Sequence, residues 1–172
     1  IDIAHKILKK DPKINLSSFD KIKTKISKES LNYSLNLIKA DLNKLGIKHD
    51  KFISERTIVN KNLVNKTVEK LKKNKFVVEG FLSPPKGEEN LQWKKTKRLI
   101  FKSTLFGDDL DRALKKDDGS WTYFANDVTY HADKVSRKYD YLVNILGADH
   151  TGYIKRISAA VQALSKNKTI LI

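Results

Sequence analysis

Tyr141-Leu142-Val143-Asn144-Ile145-Leu146-Gly147-Ala148-Asp149-His150 is the stretch that decides the fold class. Residues 141–146 form a nearly continuous apolar run, as expected of a strand buried on both faces of a parallel sheet. Gly147 breaks the run, and a helical pattern follows to about Ser165. Residues 168–172, Lys-Thr-Ile-Leu-Ile, then read as a second strand. Strand, crossover helix and strand make a βαβ unit, right-handed by default. The expected fold class is therefore α/β, a partial Rossmann-type parallel sheet with helices.

Upstream, residues 18–45 have a helical pattern. Leu31, Leu35, Ile38, Leu42 and Leu45 recur at steps of four and three, which lines one face, and Gly46 suits a left-handed cap. Residues 47–54 read as a short strand, and residues 62–73 as a helix buried through Val64, Val68 and Leu71. Two more strands are expected at 76–82, stopped by Ser83-Pro84-Pro85-Lys86-Gly87, and at 97–104. Asp117-Asp118-Gly119 is a hairpin signal between arms 112–116 and 120–124, because Asp-Gly suits turns with positive φ. A helix is expected over 127–138, and residues 1–17 read only as a basic lead-in. The organisation expected is a helical segment with a first strand over 1–75, a small antiparallel β insertion over 76–121, and the closing βαβ unit over 122–172.

Composition narrows the function classes. Forty per cent apolar residues in 172 predict a folded domain. The chain has no cysteine, which removes disulfide frameworks, zinc-thiolate sites and thiol nucleophiles. No apolar run approaches the roughly 20 residues of a membrane helix, and no signal-peptide pattern is visible, so a soluble cytoplasmic protein is expected. The first residue is Ile1, no methionine is present, and the last residues read as a strand just begun. Together these suggest a piece of a longer chain. The net charge of +15, from 35 basic and 20 acidic residues, favours polyanion partners. The excess is nearly all lysine, so compositional bias is the competing explanation.

Four clusters carry chemistry. In Thr122-Tyr123-Phe124-Ala125-Asn126-Asp127, a phenol and a carboxylate stand four residues apart across an expected strand-to-helix junction. Asp127 suits the paired N–H donors of a guanidinium, and Tyr123 suits one more. A plain helix cap with a core tyrosine fits the same spacing. In Gly147-Ala148-Asp149-His150, the glycine permits close approach or positive φ. Asp149 suits a ribose hydroxyl and His150 a substrate hydrogen bond, at the carboxyl end of a strand where α/β sheets bind ligands. An ordinary turn with an aspartate cap is the competing reading. Phe106-Gly107-Asp108-Asp109-Leu110-Asp111-Arg112 reads as a self-capped turn rather than a metal site, because its spacing is not that of an EF-hand loop. The lysines of 62–73 and Trp93-Lys94-Lys95-Thr96-Lys97-Arg98 suit an RNA backbone or simply water.

Taken together, these segments resemble the arginyl-tRNA synthetase family, particularly its bacterial members. The resemblance runs through Phe101-Lys102-Ser103-Thr104, Phe106-Gly107-Asp108-Asp109 and Arg112. It continues through residues 114–124 to Asp127, Tyr130-His131 and Lys134, then to Gly147-Ala148-Asp149-His150, Gly152-Tyr153 and Lys155-Arg156. Upstream it includes Asp41-Leu42, residues 45–50 and Ser54-Glu55-Arg56. It covers the chain from about Ser30 and is weakest over residues 1–28.

The resemblance implies a class I, Rossmann-type catalytic domain that activates arginine with ATP and transfers it to tRNA(Arg). It implies Tyr123 and Asp127 at the arginine guanidinium, with Gly147, Asp149 and His150 bordering the ATP ribose and the substrate. The family often carries a glutamine near His150. Mg2+ is expected with ATP in the full-length enzyme, and no metal ligand is assigned to this segment. The family's His-x-Gly-His and Lys-Met-Ser-Lys signatures would lie before Ile1 and beyond Ile172. No catalytic residue is therefore expected here, and the 172 residues alone should be inactive. The alternatives are a non-catalytic RNA-binding module on this fold and an unrelated α/β nucleotide-binding enzyme.

Overall fold

The computed structural model describes residues 2–14, 19–60, 62–82 and 96–172, without the side chains of 55, 59 and 60. The chain divides into two compact units, Ile1–Phe52 and Ile53–Ile172.

In the first unit, α1 (Asp2–Lys10) packs on α2 (Phe19–Lys44). Ile7 is buried, and Lys10 reaches Glu29 at 2.8 Å while Lys25 pairs with Asp11. Helix α1 is amphipathic, with Ile7 buried and its lysines exposed, where the sequence reads only as a basic lead-in. The expected helix over 18–45 is present, and Gly46 takes φ 73° at its end. Its stripe is not buried among the described residues: Leu31, Ile38 and Leu45 are exposed. Residues 47–54 form no strand, contrary to expectation. Among the described residues no strand pairs with them, so their backbone groups gain no ladder hydrogen bonds.

The second unit begins with α3 (Glu55–Asn60) and α4 (Leu63–Lys73). The stripe read from the sequence buries α4: Val64, Val68 and Leu71 are all at most 3% exposed. The strands β1 (Val77–Gly80), β2 (Arg98–Phe101) and β3 (Arg112–Ala113) form an antiparallel sheet within the 76–121 stretch. Val77 pairs with Phe101, and Phe101 with Arg112. The Ser83-Pro84-Pro85-Lys86-Gly87 stop and Trp93-Lys94-Lys95 lie outside the described residues. A 3-10 turn, Ser103–Phe106, ends the strand expected over 97–104.

The Asp117-Asp118-Gly119 turn is present. Gly119 has φ 79°, and the Lys116 amide donates to Ser120 O at 2.8 Å. Its arms are shorter than expected, joined by the single bridge Lys115–Trp121. The returning arm is cut short because Thr122 caps a helix: its hydroxyl accepts from the Ala125 amide at 3.2 Å and donates to Ala113 O at 3.1 Å. That helix, α5 (Tyr123–Ser136), starts one turn before the expected Asp127.

β4 (Tyr141–Leu142) and β5 (Ile170–Leu171) pair in parallel, on either side of a 3-10 turn (Ala148–Tyr153) and α6 (Ile154–Ser165). Residues 141–146 are not a strand buried on both faces, contrary to expectation. Only Leu142 is buried, while Tyr141, Val143 and Ile145 are exposed, Ile145 at 96%. An apolar strand with one short partner has too few neighbours to cover it. The architecture is thus mixed helix and sheet, and parallel pairing among the described residues is limited to β4 and β5. The core of this unit joins α4, α5, α6 and the antiparallel sheet around Phe101, Leu114, Val128 and Ala160.

Candidate functional site

The site is built on α5. Tyr123 is its first residue and Asp127 its fifth, so the two stand one turn apart on one helix face. Phe124, Ala125 and Val128 anchor the opposite face in the core, which fixes the helix rotation. Tyr123 is 78% exposed, with the Lys116 ammonium 5.5 Å from its ring centre. Asp127 is half-buried. With Asn126, Tyr130, Ile53 and Ile58 it lines a cavity of about 250 Å³. Tyr123 is not among the residues lining that cavity.

Tyr153, the last residue of the 3-10 turn after Gly147, donates its hydroxyl to Asp127 Oδ2. Burial, and then the Asp127 carboxylate itself, push the Tyr153 phenol far above its ordinary value, so it stays a donor at any physiological pH. The Arg156 guanidinium stacks 4.8 Å from the Tyr153 ring centre and donates to Gly152 O at 3.3 Å. Among the described residues no cation pairs with the Asp127 carboxylate. It is a half-buried anion, held by one neutral phenol, facing an open cavity.

Gly147 and His150 line a separate cavity of about 230 Å³ with Asn144, Leu146, Ile154 and Ile157. Gly147 has φ −66°. Its glycine character therefore serves close approach rather than a left-handed backbone. A Cβ there would lie 2.5 Å from Asp149 Oδ1. Asp149 and His150 are both exposed and meet each other at 3.0 Å, Oδ1 to Nδ1.

The acidic turn is fully engaged from within. Arg112 makes two bonds of 2.7 Å to Asp108, whose side chain is wholly buried. Burial would raise the Asp108 acid, but the Arg112 bonds prevail and hold it below the usual carboxylate range. Asp111 Oδ1 accepts from the Thr104 hydroxyl at 2.7 Å, and Lys155 of α6 reaches Asp109 at 2.7 Å. These pairings make the segment a brace between the sheet and α6, and leave no carboxylate cluster suited to Mg2+. Lys97 and Arg98 of the basic run pair with Glu79 and Asp117 at 2.9 and 2.6 Å. A larger groove of about 530 Å³ in the first unit, lined by Lys39, Leu42, Ile47, His49 and Phe52, holds none of Tyr123, Asp127, Gly147, Asp149 and His150.

Sequence reasoning placed Tyr123, Asp127, Gly147, Asp149 and His150 but assigned no role to Tyr153, His131 or Asn144. The spacing from Asp127 to Tyr153 crosses a strand and a loop, so no local period signals it. The i, i+4 step from Asp127 to His131 was a legible signal.

No family model matches the chain. Over all 172 residues it is 50% identical to the arginine–tRNA ligase of Pelagibacter ubique (strain HTCC1062), of which it covers 30%. Over 138 residues, 80% of the chain, it is 54% identical to that of Ehrlichia chaffeensis (strain ATCC CRL-10679 / Arkansas), of which it covers 24%. A solved structure from Campylobacter jejuni, described as an arginyl tRNA synthetase, superposes with a TM-score of 0.73 at 31% identity over 99% of this chain and 34% of that one. The chain thus spans about a quarter to a third of the length of these relatives. On sequence along its whole length and on fold, it belongs to the arginine–tRNA ligase family.

Proposed function

We propose that this chain is the part of an arginine–tRNA ligase that receives the arginine guanidinium and borders the ATP ribose. The observation that carries the reading is the Asp127 carboxylate, half-buried beside a cavity and lacking a cation among the described residues. A half-buried carboxylate of that kind favours a planar cation with paired N–H donors. Tyr153 occupies Oδ2, which leaves Oδ1 and the remaining lone pairs for the guanidinium. Tyr123, on the same helix face, supplies a phenol for a further bond.

The second half of the site is the Gly147–Tyr153 turn. Gly147 allows a ligand or a neighbouring side chain to approach the backbone, Asp149 offers a carboxylate to ribose hydroxyls, and His150 stands beside both. In the reaction, an arginine carboxylate oxygen attacks the α-phosphorus of ATP and pyrophosphate leaves. A terminal hydroxyl of tRNA(Arg) then attacks the aminoacyl carbonyl and AMP leaves. The residues of this chain bind and orient, which accounts for much of such catalysis. Among the described residues no carboxylate cluster fits a Mg2+ site, so no step is assigned to that ion here.

The exposed apolar residues of β4 and β5 fit a Rossmann-type sheet completed by further strands. Residues 76–121 fit an insertion between 1–75 and 122–172. The test is aminoacylation with labelled arginine, ATP and tRNA(Arg). The full-length protein carrying this chain should charge tRNA, and the isolated 172 residues should not. Failure of the full-length protein to use arginine would overturn the reading.

A further inference from the structure

His131 is 5% exposed and sits one turn after Asp127 on α5. Its Nδ1 lies 2.8 Å from the Asp127 backbone oxygen, and its Nε2 lies 2.9 Å from Asn144 Nδ2. Asn144 Oδ1 in turn lies 2.7 Å from the Lys134 ammonium.

Donor logic orients this chain without ambiguity. An ammonium only donates, so the Asn144 atom facing it is the oxygen. The Asn144 NH2 therefore faces His131, and Nε2 must accept. The imidazole is then neutral with its proton on Nδ1, donating to the Asp127 carbonyl. Burial, chiefly, keeps His131 below its ordinary value, and Lys134 acts in the same direction. The titratable groups around the imidazole are Lys134, Asp127 and Tyr130, all on α5, whose ring meets that of His131 at 5.7 Å. From the other side, among the described residues, comes the uncharged Asn144.

Asn144 stands three residues before Gly147. Its backbone amide donates to Ile172 O at 2.9 Å, so it is fixed in the β4–β5 ladder. One side chain thus joins the helix that presents Asp127 to the strand that delivers Gly147.

We propose that His131 and Asn144 are positioning residues, a hydrogen-bonded strut that holds the Asp127 pocket and the Gly147 turn in register. The proposal rests on the reading that these two places receive arginine and ATP. Neither residue touches a substrate. What the strut fixes is the spacing between the two subsites, and misplacement by about 1 Å costs on the order of a hundredfold in such reactions.

The test uses the full-length protein in steady-state charging assays, with KM for arginine and for ATP measured separately. His131→Asn keeps a donor near the Nδ1 position but cannot reach Asn144. His131→Gln reaches Asn144 but loses the Asp127 carbonyl. Each should raise both KM values together, by about tenfold or more. Asn144→Asp is the rescue variant. Its carboxylate accepts from Lys134 and from a protonated Nε2–H, so the strut re-forms only when His131 carries a proton. Its KM values should therefore approach wild type at low pH and rise as pH increases, with no such trend in wild type.

KM values within twofold of wild type in both His131 variants would overturn the strut, as would a change confined to one substrate. If the wild-type protein itself charges no arginine, the underlying reading fails and the strut falls with it.

Discussion

Replacing Asp127 by Asn tests the guanidinium pocket with the least disturbance. The amide has nearly the same shape, and its oxygen still accepts from Tyr153, so the fold should hold: unfolding midpoints should agree within about 0.5 kcal/mol. What disappears is the negative charge facing the cavity. A hydrogen bond to a charged group contributes about 1.5–3 kcal/mol. Asp127 is half-buried, so its field is only partly screened, and the upper part of that range applies. At 1.4 kcal/mol per tenfold, a loss of about 2–3 kcal/mol raises KM for arginine roughly 30- to 150-fold.

The assay is charging by the full-length protein with arginine and ATP varied independently. ATP KM should change less than about threefold, because the Gly147 turn is untouched. Citrulline, the neutral isostere of arginine, provides the internal control. It lacks the cation, so its binding should be nearly indifferent to the substitution. An arginine KM within threefold of wild type, or equal losses for arginine and citrulline, would refute the charge-pairing argument.

Other outcomes follow from the same geometry. Tyr153→Phe removes the donor that orients the Asp127 carboxylate without removing its charge, and arginine KM should rise by about two- to tenfold, less than for Asp127→Asn. Gly147→Ala places a Cβ 2.5 Å from Asp149 Oδ1. The flexible Asp149 side chain should swing aside, raising ATP KM in the charging assay with little change in the unfolding midpoint. The Asp108 acid is depressed in the folded state. Its contribution to stability is present above the ordinary aspartate range and is lost as pH falls through the depressed folded value. Urea denaturation against pH should show that acid limb, and Asp108→Asn should remove it at a cost of about 3 kcal/mol, since Arg112 is left without its partner. Leu71→Ala opens a cavity among α4 neighbours that are at most 3% exposed, and should cost about 3 kcal/mol by the same measurement.

The parts of the fold that a linear pattern can encode were legible. The α4 stripe of Val64, Val68 and Leu71 recurs at helical spacing, and the Asp117-Asp118-Gly119 turn carries its own conformational preference. Helix α1 is amphipathic, but its nine residues are too short a window for the period to stand out. The start of α5 was placed a turn late, because Thr122 shows its capping role only through the bonds it makes to Ala113 and Ala125. The apolar run 141–146 was read as buried, yet burial depends on neighbouring strands that no local pattern specifies.

At the site, Tyr123 and Asp127 were legible as an i, i+4 pair once the helix was placed under both. The Tyr153–Asp127 bond joins residues 26 apart and the His131–Asn144 contact residues 13 apart. Such contacts arise where the segments between β4 and α6 meet α5, and local spacing carries no trace of them.

A crystal structure of the full-length protein with arginine bound measures the decisive contact. The guanidinium nitrogens should lie about 2.8 Å from the Asp127 carboxylate, the usual length for a charged N–H···O pair, with the Tyr153 hydroxyl still on Oδ2. A guanidinium bound away from α5, or an Asp127 already neutralised by a lysine or arginine of the protein, would contradict the account.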